Sequence, residues 1–135
     1  MPKVAIALAL SSLVFLCAGC GGDPLEHSQW VADMSTVQWG EAGNSVVRPN
    51  NYWRVNLGAD GDYRENYVLA GTAGHPSGTY EVTSHEGDDY TVHVTISEVE
   101  SFDLQISSGT MTYTREAAVG TITATMPCNP SMCPD

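Results

Sequence analysis

Apolar and polar residues alternate along most of this chain, and the alternation is clearest between residues 78 and 97. In the segment GTYEVTSHEGDDYTVHVTIS, Tyr80 and Val82 precede a polar turn, and Val92 and Val94 follow it. A period of two places successive side chains on opposite faces of a strand. The segment therefore predicts two half-buried strands that form an antiparallel hairpin.

The same alternation recurs on both sides of this hairpin. Upstream, residues 52–57 and 63–70 flank the turn GADGD and predict a second hairpin, and residues 37–40 predict a short strand before it. Downstream, alternating segments lie at residues 102–106, 111–115 and 120–126. Roughly eight short strands without a long helix predict an all-β fold, an antiparallel up-and-down meander that closes into a small barrel or a sandwich. Closure is favoured because it removes exposed strand edges.

One segment departs from the strand pattern. Asp23, Pro24 and Glu26 have the order of a helix start, with a capping side chain, a proline at the first helical position and an acid three residues after the cap. We expect a short helix here that places Trp30 and Met34 on one face and covers one end of the body. The alternative is an irregular tether with Trp30 held against the domain.

The first twenty residues have the composition of an export signal. Lys3 supplies a positive charge, residues 4–16 form an apolar run too short to span a bilayer, and Ala18 and Gly19 precede Cys20. This order resembles the signal of bacterial lipoproteins. The resemblance implies that the chain is cut before Cys20 and that this residue receives a diacylglyceryl group and further acyl chains such as palmitate. The alternative is an ordinary signal peptide that leaves the Cys20 thiol free.

These features predict three parts: a signal peptide at 1–19, a lipidated tether with the short helix at 20–36, and a β-barrel domain at 37–135. Lipid on Cys20 would anchor the domain in the bacterial cell envelope. Gly21 rather than aspartate follows the cysteine, and resemblance to enterobacterial sorting then favours the outer membrane.

The chain is strongly acidic, with 16 Asp and Glu against 5 Lys and Arg and a net charge of −11. Such a surface repels phosphate backbones, so we expect no nucleic acid partner. We expect the acidic residues to keep the domain soluble. Binding of a basic partner or of divalent cations is the alternative.

Two cysteines near the C-terminus, Cys128 and Cys133, bracket the turn-forming sequence NPSM. In an oxidising envelope we expect them to form a disulfide, whose effect on chain entropy for so small a ring is about 2 kcal/mol. A redox pair or a metal site would require closer spacing or further ligands.

The sequence shows no catalytic or metal-binding motif. His75, His85 and His93 fall in a predicted loop, turn and strand, without a spacing that gathers zinc ligands. The turn GADGD lacks the pattern of a calcium loop, and no G-x-S-x-G nucleophile elbow is present. We therefore expect no enzymatic activity, no bound metal and no cofactor.

Four motifs in order carry a family resemblance: WRVNL with DGDY between residues 53 and 63, GTYEV at 78–82, the strand at 90–96, and MTYTR at 111–115. They resemble small bacterial lipocalin-like lipoproteins. The resemblance implies a meander barrel whose interior is filled by side chains or holds one small apolar ligand. The candidate ligand contacts are aromatic residues that could equally be core: Trp53, Tyr63, Tyr80, Tyr90 and Tyr113.

Together these features predict a non-enzymatic lipoprotein, attached to a membrane through lipid on Cys20. Its lipocalin-like body would bind a small hydrophobic ligand or serve an interaction role. The alternative is an inhibitor or adhesion module that contacts a protein partner through exposed hairpin loops such as 58–62 and 71–78.

Overall fold

The structure, a computed structural model, describes residues 24–134 and contains one ten-stranded antiparallel sheet. The predicted all-β antiparallel meander is confirmed. The predictions for residues 1–19 and for Cys20 lie outside the described residues. The strands are β1 (Ser28–Val31), β2 (Gln38–Trp39), β3 (Tyr52–Leu57), β4 (Asp62–Leu69), β5 (Thr72–Gly74), β6 (Ser77–Glu86), β7 (Asp89–Ser97), β8 (Glu100–Ser107), β9 (Thr110–Ala117) and β10 (Gly120–Pro127).

Within residues 24–134, the helical residues are confined to short 3₁₀ turns. They lie at Met34–Thr36, Gly40–Ala42, Ala59–Gly61 and Pro130–Met132. No helix in this range has the length and hydrophobicity required to cross a membrane.

From β6 to β10 each strand pairs with the next one along the chain through a tight turn. The turn between β8 and β9 consists of Ser108 and Gly109, whose φ angles of 49° and 80° are both positive. Two successive residues with positive φ match the right-handed twist of the flanking strands, which favours this turn type in hairpins. The sheet order is β1-β3-β4-β6-β7-β8-β9-β10-β2, in which these hairpins account for the part from β6 to β10, and β5 pairs only with β4.

The N-terminal segment 28–39 links the two strands that would otherwise be the edges of the sheet. Its first part pairs with β3, and the Ala32 amide donates to the Trp53 carbonyl at 2.9 Å. One residue later the Asp33 amide donates to the Thr125 carbonyl of β10 at 2.8 Å, and β2 then pairs with β10. The sheet is therefore curled and barrel-like, and this segment covers backbone groups that an open edge would expose.

The short helix predicted near Trp30 is not present. Residues 28–31 form strand β1, in which Ser28 and Trp30 are buried and alternate with more exposed neighbours. The Trp30 indole N–H donates to the Ser28 hydroxyl at 3.0 Å, and that hydroxyl donates to the Leu25 carbonyl at 2.6 Å. A strand prevails here because β3 offers a row of backbone partners, whereas a helix would leave that edge unpaired.

The interior of the curled sheet is filled by side chains from alternate strand positions, as the period of two predicts. Burial of each large apolar side chain contributes about 1.5–3 kcal/mol relative to exposure. The largest fully buried members include Trp30, Trp53, Tyr63, Tyr113, Leu57, Leu104, Met111 and Met126.

The predicted disulfide between Cys128 and Cys133 is present and closes a loop after β10. The Cys128 amide donates to the Gly109 carbonyl at 3.0 Å, and the Asn129 amide donates to the Gln29 carbonyl at 2.8 Å. The loop is therefore attached to the β8–β9 turn and to β1.

The contact between Gly40 and the β9–β10 turn yields a test of this closure. Gly40 has a φ of +56°, and a Cβ at this position would overlap the Val119 carbonyl. We expect Gly40→Ala to lower the free energy of unfolding by about 3 kcal/mol, because backbone strain and overpacking add. The measurement is urea denaturation followed by tryptophan fluorescence.

The matched control is Gly71→Ala. Gly71 has a φ of +81°, and an alanine Cβ at this position would have no atom within 4 Å beyond its chain neighbours. Only the backbone strain of about 1 kcal/mol applies there. Equal losses in the two variants would contradict the close packing of Gly40 against Val119.

Candidate ligand-binding site

A glutamate, Glu65, lies in the core of the curled sheet. It alternates with Tyr63 on β4, so the period of the strand directs both side chains inward. Glu65 is only 1% exposed. A buried carboxylate is costly unless hydrogen bonds or opposite charges replace its water.

Three side chains from three strands donate hydrogen bonds to the Glu65 carboxylate. The Trp53 indole N–H donates to Oε1 at 2.8 Å, and the Tyr63 hydroxyl donates to Oε2 at 2.8 Å. The Tyr113 hydroxyl lies 3.2 Å from Oε2 and 3.3 Å from Oε1. No buried side-chain nitrogen or oxygen in residues 24–134 lacks a partner.

A cation and a second carboxylate continue this network toward the surface. Arg115 follows Tyr113 by two positions on β9, and its Nη1 donates to the Tyr113 hydroxyl at 3.4 Å. Its Nη2 forms an ion pair with Glu100, and its guanidinium lies 5.1 Å from the centre of the Phe102 ring. The positive charge of Arg115 is thus compensated by Glu100.

Burial raises the pKa values of three side chains in this cluster, Tyr63, Glu65 and Tyr113. Burial raises the pKa of Glu65, and hydrogen bonds from Tyr63 and Trp53 and the charge of Arg115 oppose part of that increase. Burial, followed by the nearby Glu65 charge, raises the pKa of Tyr63 and of Tyr113 well above the ordinary value. Both tyrosines therefore remain protonated donors.

A partly open pocket of about 240 Å³ borders this cluster. It lies at the end of the sheet that contains the β9–β10 turn, and Glu65 lines it from the core side. Its other main lining residues are four aromatic residues and one cation: Trp39, Trp53, Tyr67, Tyr113 and Arg115. A pocket of about 280 Å³ beside Trp30 and the disulfide loop contains no buried charged residue of the described range.

The aromatic side chains of the pocket support one another in tilted and edge-to-face contacts. The Trp39 ring lies 5.8 Å from both Trp53 and Tyr67, and Trp53 lies 4.7 Å from Tyr113, measured between centroids. Such pairs contribute about 0.5–1.5 kcal/mol beyond the area they bury. A Cβ at Gly74 of β5 would overlap the Tyr67 ring, so this glycine allows β5 to pack directly on it.

The five predicted ligand contacts have different surroundings. Trp53, Tyr63 and Tyr113 converge on Glu65, as described above. Tyr80 is buried and donates its hydroxyl to the Gly58 carbonyl at 2.9 Å, beside the β3–β4 turn. Tyr90 is half-buried and stacks on His85, with 4.1 Å between the centroids.

Glu65 and Tyr67 are pocket residues that none of the four sequence motifs includes, and Arg115 lies in the motif MTYTR but is not among the predicted ligand contacts. A signal for Glu65 exists in the sequence, because it occupies the same strand phase as the inward-facing Tyr63. Arg115 likewise follows the phase of Tyr113. A charged residue in phase with buried aromatics indicates a polar group inside the core, but its partners come from other strands.

The three candidate histidines lie apart from this pocket and have local partners. His75 pairs with Asn66 at 2.8 Å, and His93 pairs with Asp103 at 2.8 Å. His85 contacts the Gly87 carbonyl at 2.9 Å. In the part of the chain that the structure describes, no three His, Cys, Asp or Glu side chains are placed to hold a metal ion.

The raised pKa of Glu65 predicts a pH-dependent stability. The folded chain retains a proton on Glu65 at pH values where the unfolded chain has lost it, so this group destabilises the fold as pH rises from its ordinary value of 4.5 through the raised value. We expect the free energy of unfolding of the wild type to fall relative to Glu65→Gln across this window. Denaturation curves at a series of pH values measure this difference.

The matched control is Glu81→Gln on the exposed face of β6. It separates the loss of one carboxyl group from the effect of its burial. A wild-type to Glu65→Gln difference that stays constant with pH would contradict the raised pKa.

No protein-family model, no curated protein and no solved structure matches this chain.

Proposed function

We propose that this chain is a non-catalytic binding protein of the bacterial cell envelope, tethered to a membrane through lipid on Cys20. Its lipocalin-like body takes one small, largely apolar ligand. The observation that carries the binding proposal is the pocket beside Glu65. Apolar and aromatic walls with a few converging polar groups are typical of small-molecule sites.

The size of the pocket limits the ligand. Pockets for drug-sized ligands measure roughly 300–1,000 Å³, and this one measures about 240 Å³. The remainder of the interior is occupied by core side chains. A ligand of about one ring with a short substituent fits this space, whereas a long acyl chain does not.

The lining residues favour binding over catalysis. Among the described residues that line the pocket there is no serine, threonine, cysteine, lysine or histidine, so none of these nucleophiles is available there beside a base. The Glu65 oxygens hold Trp53 and Tyr63 in place. These contacts support a role for the carboxylate in binding and positioning.

The position of β1 supports a tether that leaves the pocket accessible. Residues 24–27 form a turn and Leu25 is buried, so the tether from residue 20 to Leu25 can extend at most about 18 Å, at roughly 3.3–3.6 Å per residue. Ser28 pairs with Leu57, at the end of β3 remote from Trp53. A body anchored through Cys20 would therefore direct the pocket away from the membrane.

Mass spectrometry of the full chain, purified from a bacterial host in detergent, tests both parts of the proposal. Under denaturing conditions we expect a chain that begins at Cys20 and carries added acyl mass, and we expect Cys20→Ser to lose this mass. Under native conditions we expect a bound small ligand. Val119→Trp should expel it by filling the pocket mouth, because Val119 is 45% exposed and lines the pocket.

Val99→Trp is the matched control, since Val99 is 97% exposed on a different turn. It should retain the ligand. An unmodified Cys20 would refute the lipid anchor. A pocket that is empty in the wild type, or a ligand that remains in Val119→Trp, would refute binding at this site.

A second candidate is an inhibitor or adhesion module that acts through an exposed hairpin loop. The observation that favours it is Val99, a fully exposed apolar residue at the tip of the β7–β8 turn. On this alternative, Val99→Asp would abolish at least about 90% of the binding of one envelope protein in pull-down assays, since an introduced charge opposes apolar contact. Ser108→Asp, which adds the same charge at another hairpin turn, would retain it. Equal binding by both variants would exclude this loop.

A further inference from the structure

We propose that the pocket selects ligands that carry a primary ammonium group on a small apolar body, and that Glu65 pairs with this cation. The inference rests on the proposed binding function and names the ligand class. It is drawn from the charges, acceptor positions and rings around the pocket.

Two opposite charges border the pocket, and only one of them has an ion-pair partner among the described residues. Arg115 pairs with Glu100 and also donates to the Tyr113 hydroxyl. Glu65, in contrast, takes part in no direct ion pair with any residue of the described range, its hydrogen-bond donors are all neutral, and Arg115 acts on it only through its charge. Buried charges are normally paired, so a ligand cation would supply the missing partner.

The hydrogen bonds around Glu65 supply fewer protons than its carboxylate can accept. A carboxylate offers about four acceptor positions, whereas Trp53, Tyr63 and Tyr113 contribute one proton each, and the Tyr113 hydroxyl divides its proton between the two oxygens at 3.2 Å and 3.3 Å. A primary ammonium can donate to one of these oxygens while Tyr113 donates to the other. A quaternary ammonium carries no N–H group and cannot make this bond.

The aromatic walls suit the rest of such a ligand. The centroids of Trp39, Trp53 and Tyr67 lie 5.8–6.3 Å apart, and two of these residues, Trp39 and Tyr67, are only half-buried. Aromatic faces attract cations and also pack against apolar groups. The same walls can therefore contact the ligand body and stabilise its charge.

An anionic ligand is disfavoured by the same geometry. It would approach Arg115, whose charge Glu100 already compensates, while lying near the carboxylate of Glu65. The chain as a whole has a net charge of −11, which attracts cations and repels anions at long range.

Isothermal titration calorimetry on the full-length, detergent-solubilised protein tests the proposal with three probes of similar size. They are phenethylammonium, its neutral analogue 2-phenylethanol, and the anion 3-phenylpropionate. At neutral pH we expect the ammonium to bind at least ~10-fold more tightly than the alcohol, as expected for a charge-assisted hydrogen bond in place of a neutral one. We expect the anion to bind most weakly.

Variants and pH identify Glu65 as the group responsible. Glu65→Gln should reduce the ratio of ammonium to alcohol affinity to near one, whereas Glu81→Gln should preserve it. Acidification that protonates Glu65 should weaken binding of the ammonium and leave the alcohol unchanged. Circular dichroism checks that Glu65→Gln is folded, and if it is not, the probe ranking and pH dependence of the wild type decide.

Each contrary result has a distinct meaning. Equal affinity for the ammonium and the alcohol would overturn cation selection and leave the proposed binding function intact. Tightest binding of 3-phenylpropionate would overturn it in favour of Arg115 as the recognition group. If no probe binds but the purified protein retains a native ligand, the amine proposal alone fails, and without a retained ligand both proposals fail.

Discussion

The burial of one carboxylate within an aromatic core is the constraint on which the rest of the site depends. Glu65 has lost its water, so its oxygens must be satisfied by protein donors. The donors come from β3, β4 and β9. These hydrogen bonds require the curled sheet to bring β9 close to the neighbouring strands β3 and β4.

The segment 28–39 provides the second constraint, because it joins β3 to β10 and also completes the pocket. Its first half places Trp30 in the core. Its second half pairs with β10 and positions Trp39 against Trp53 and Tyr67. One segment therefore both closes the sheet and completes the wall of the pocket.

Three charged residues lie at or near the pocket. Arg115 and Glu100 form an ion pair, and Glu65 is buried without a direct ion pair. Arg115 and Glu100 neutralise each other near the rim, while Glu65 is held by neutral donors only. Even without a ligand, the buried polar side-chain atoms within residues 24–134 all have hydrogen-bond partners. When ionised, Glu65 places a negative charge in a poorly solvated position, where an interaction with a cation is stronger than in water.

The amino-acid sequence by itself determined most of the strands, the positions of the turns between them and the C-terminal disulfide. These features are local, since the side-chain period of two and turn residues such as Gly109 act over a few positions. Only the tertiary structure decided that Ser28–Val31 form a strand and that Glu65 meets Trp53 and Tyr113. The physical reason is that the unpaired backbone groups of a strand edge and the oxygens of a buried carboxylate form hydrogen bonds with residues distant along the chain. The local sequence does not encode which residues those are.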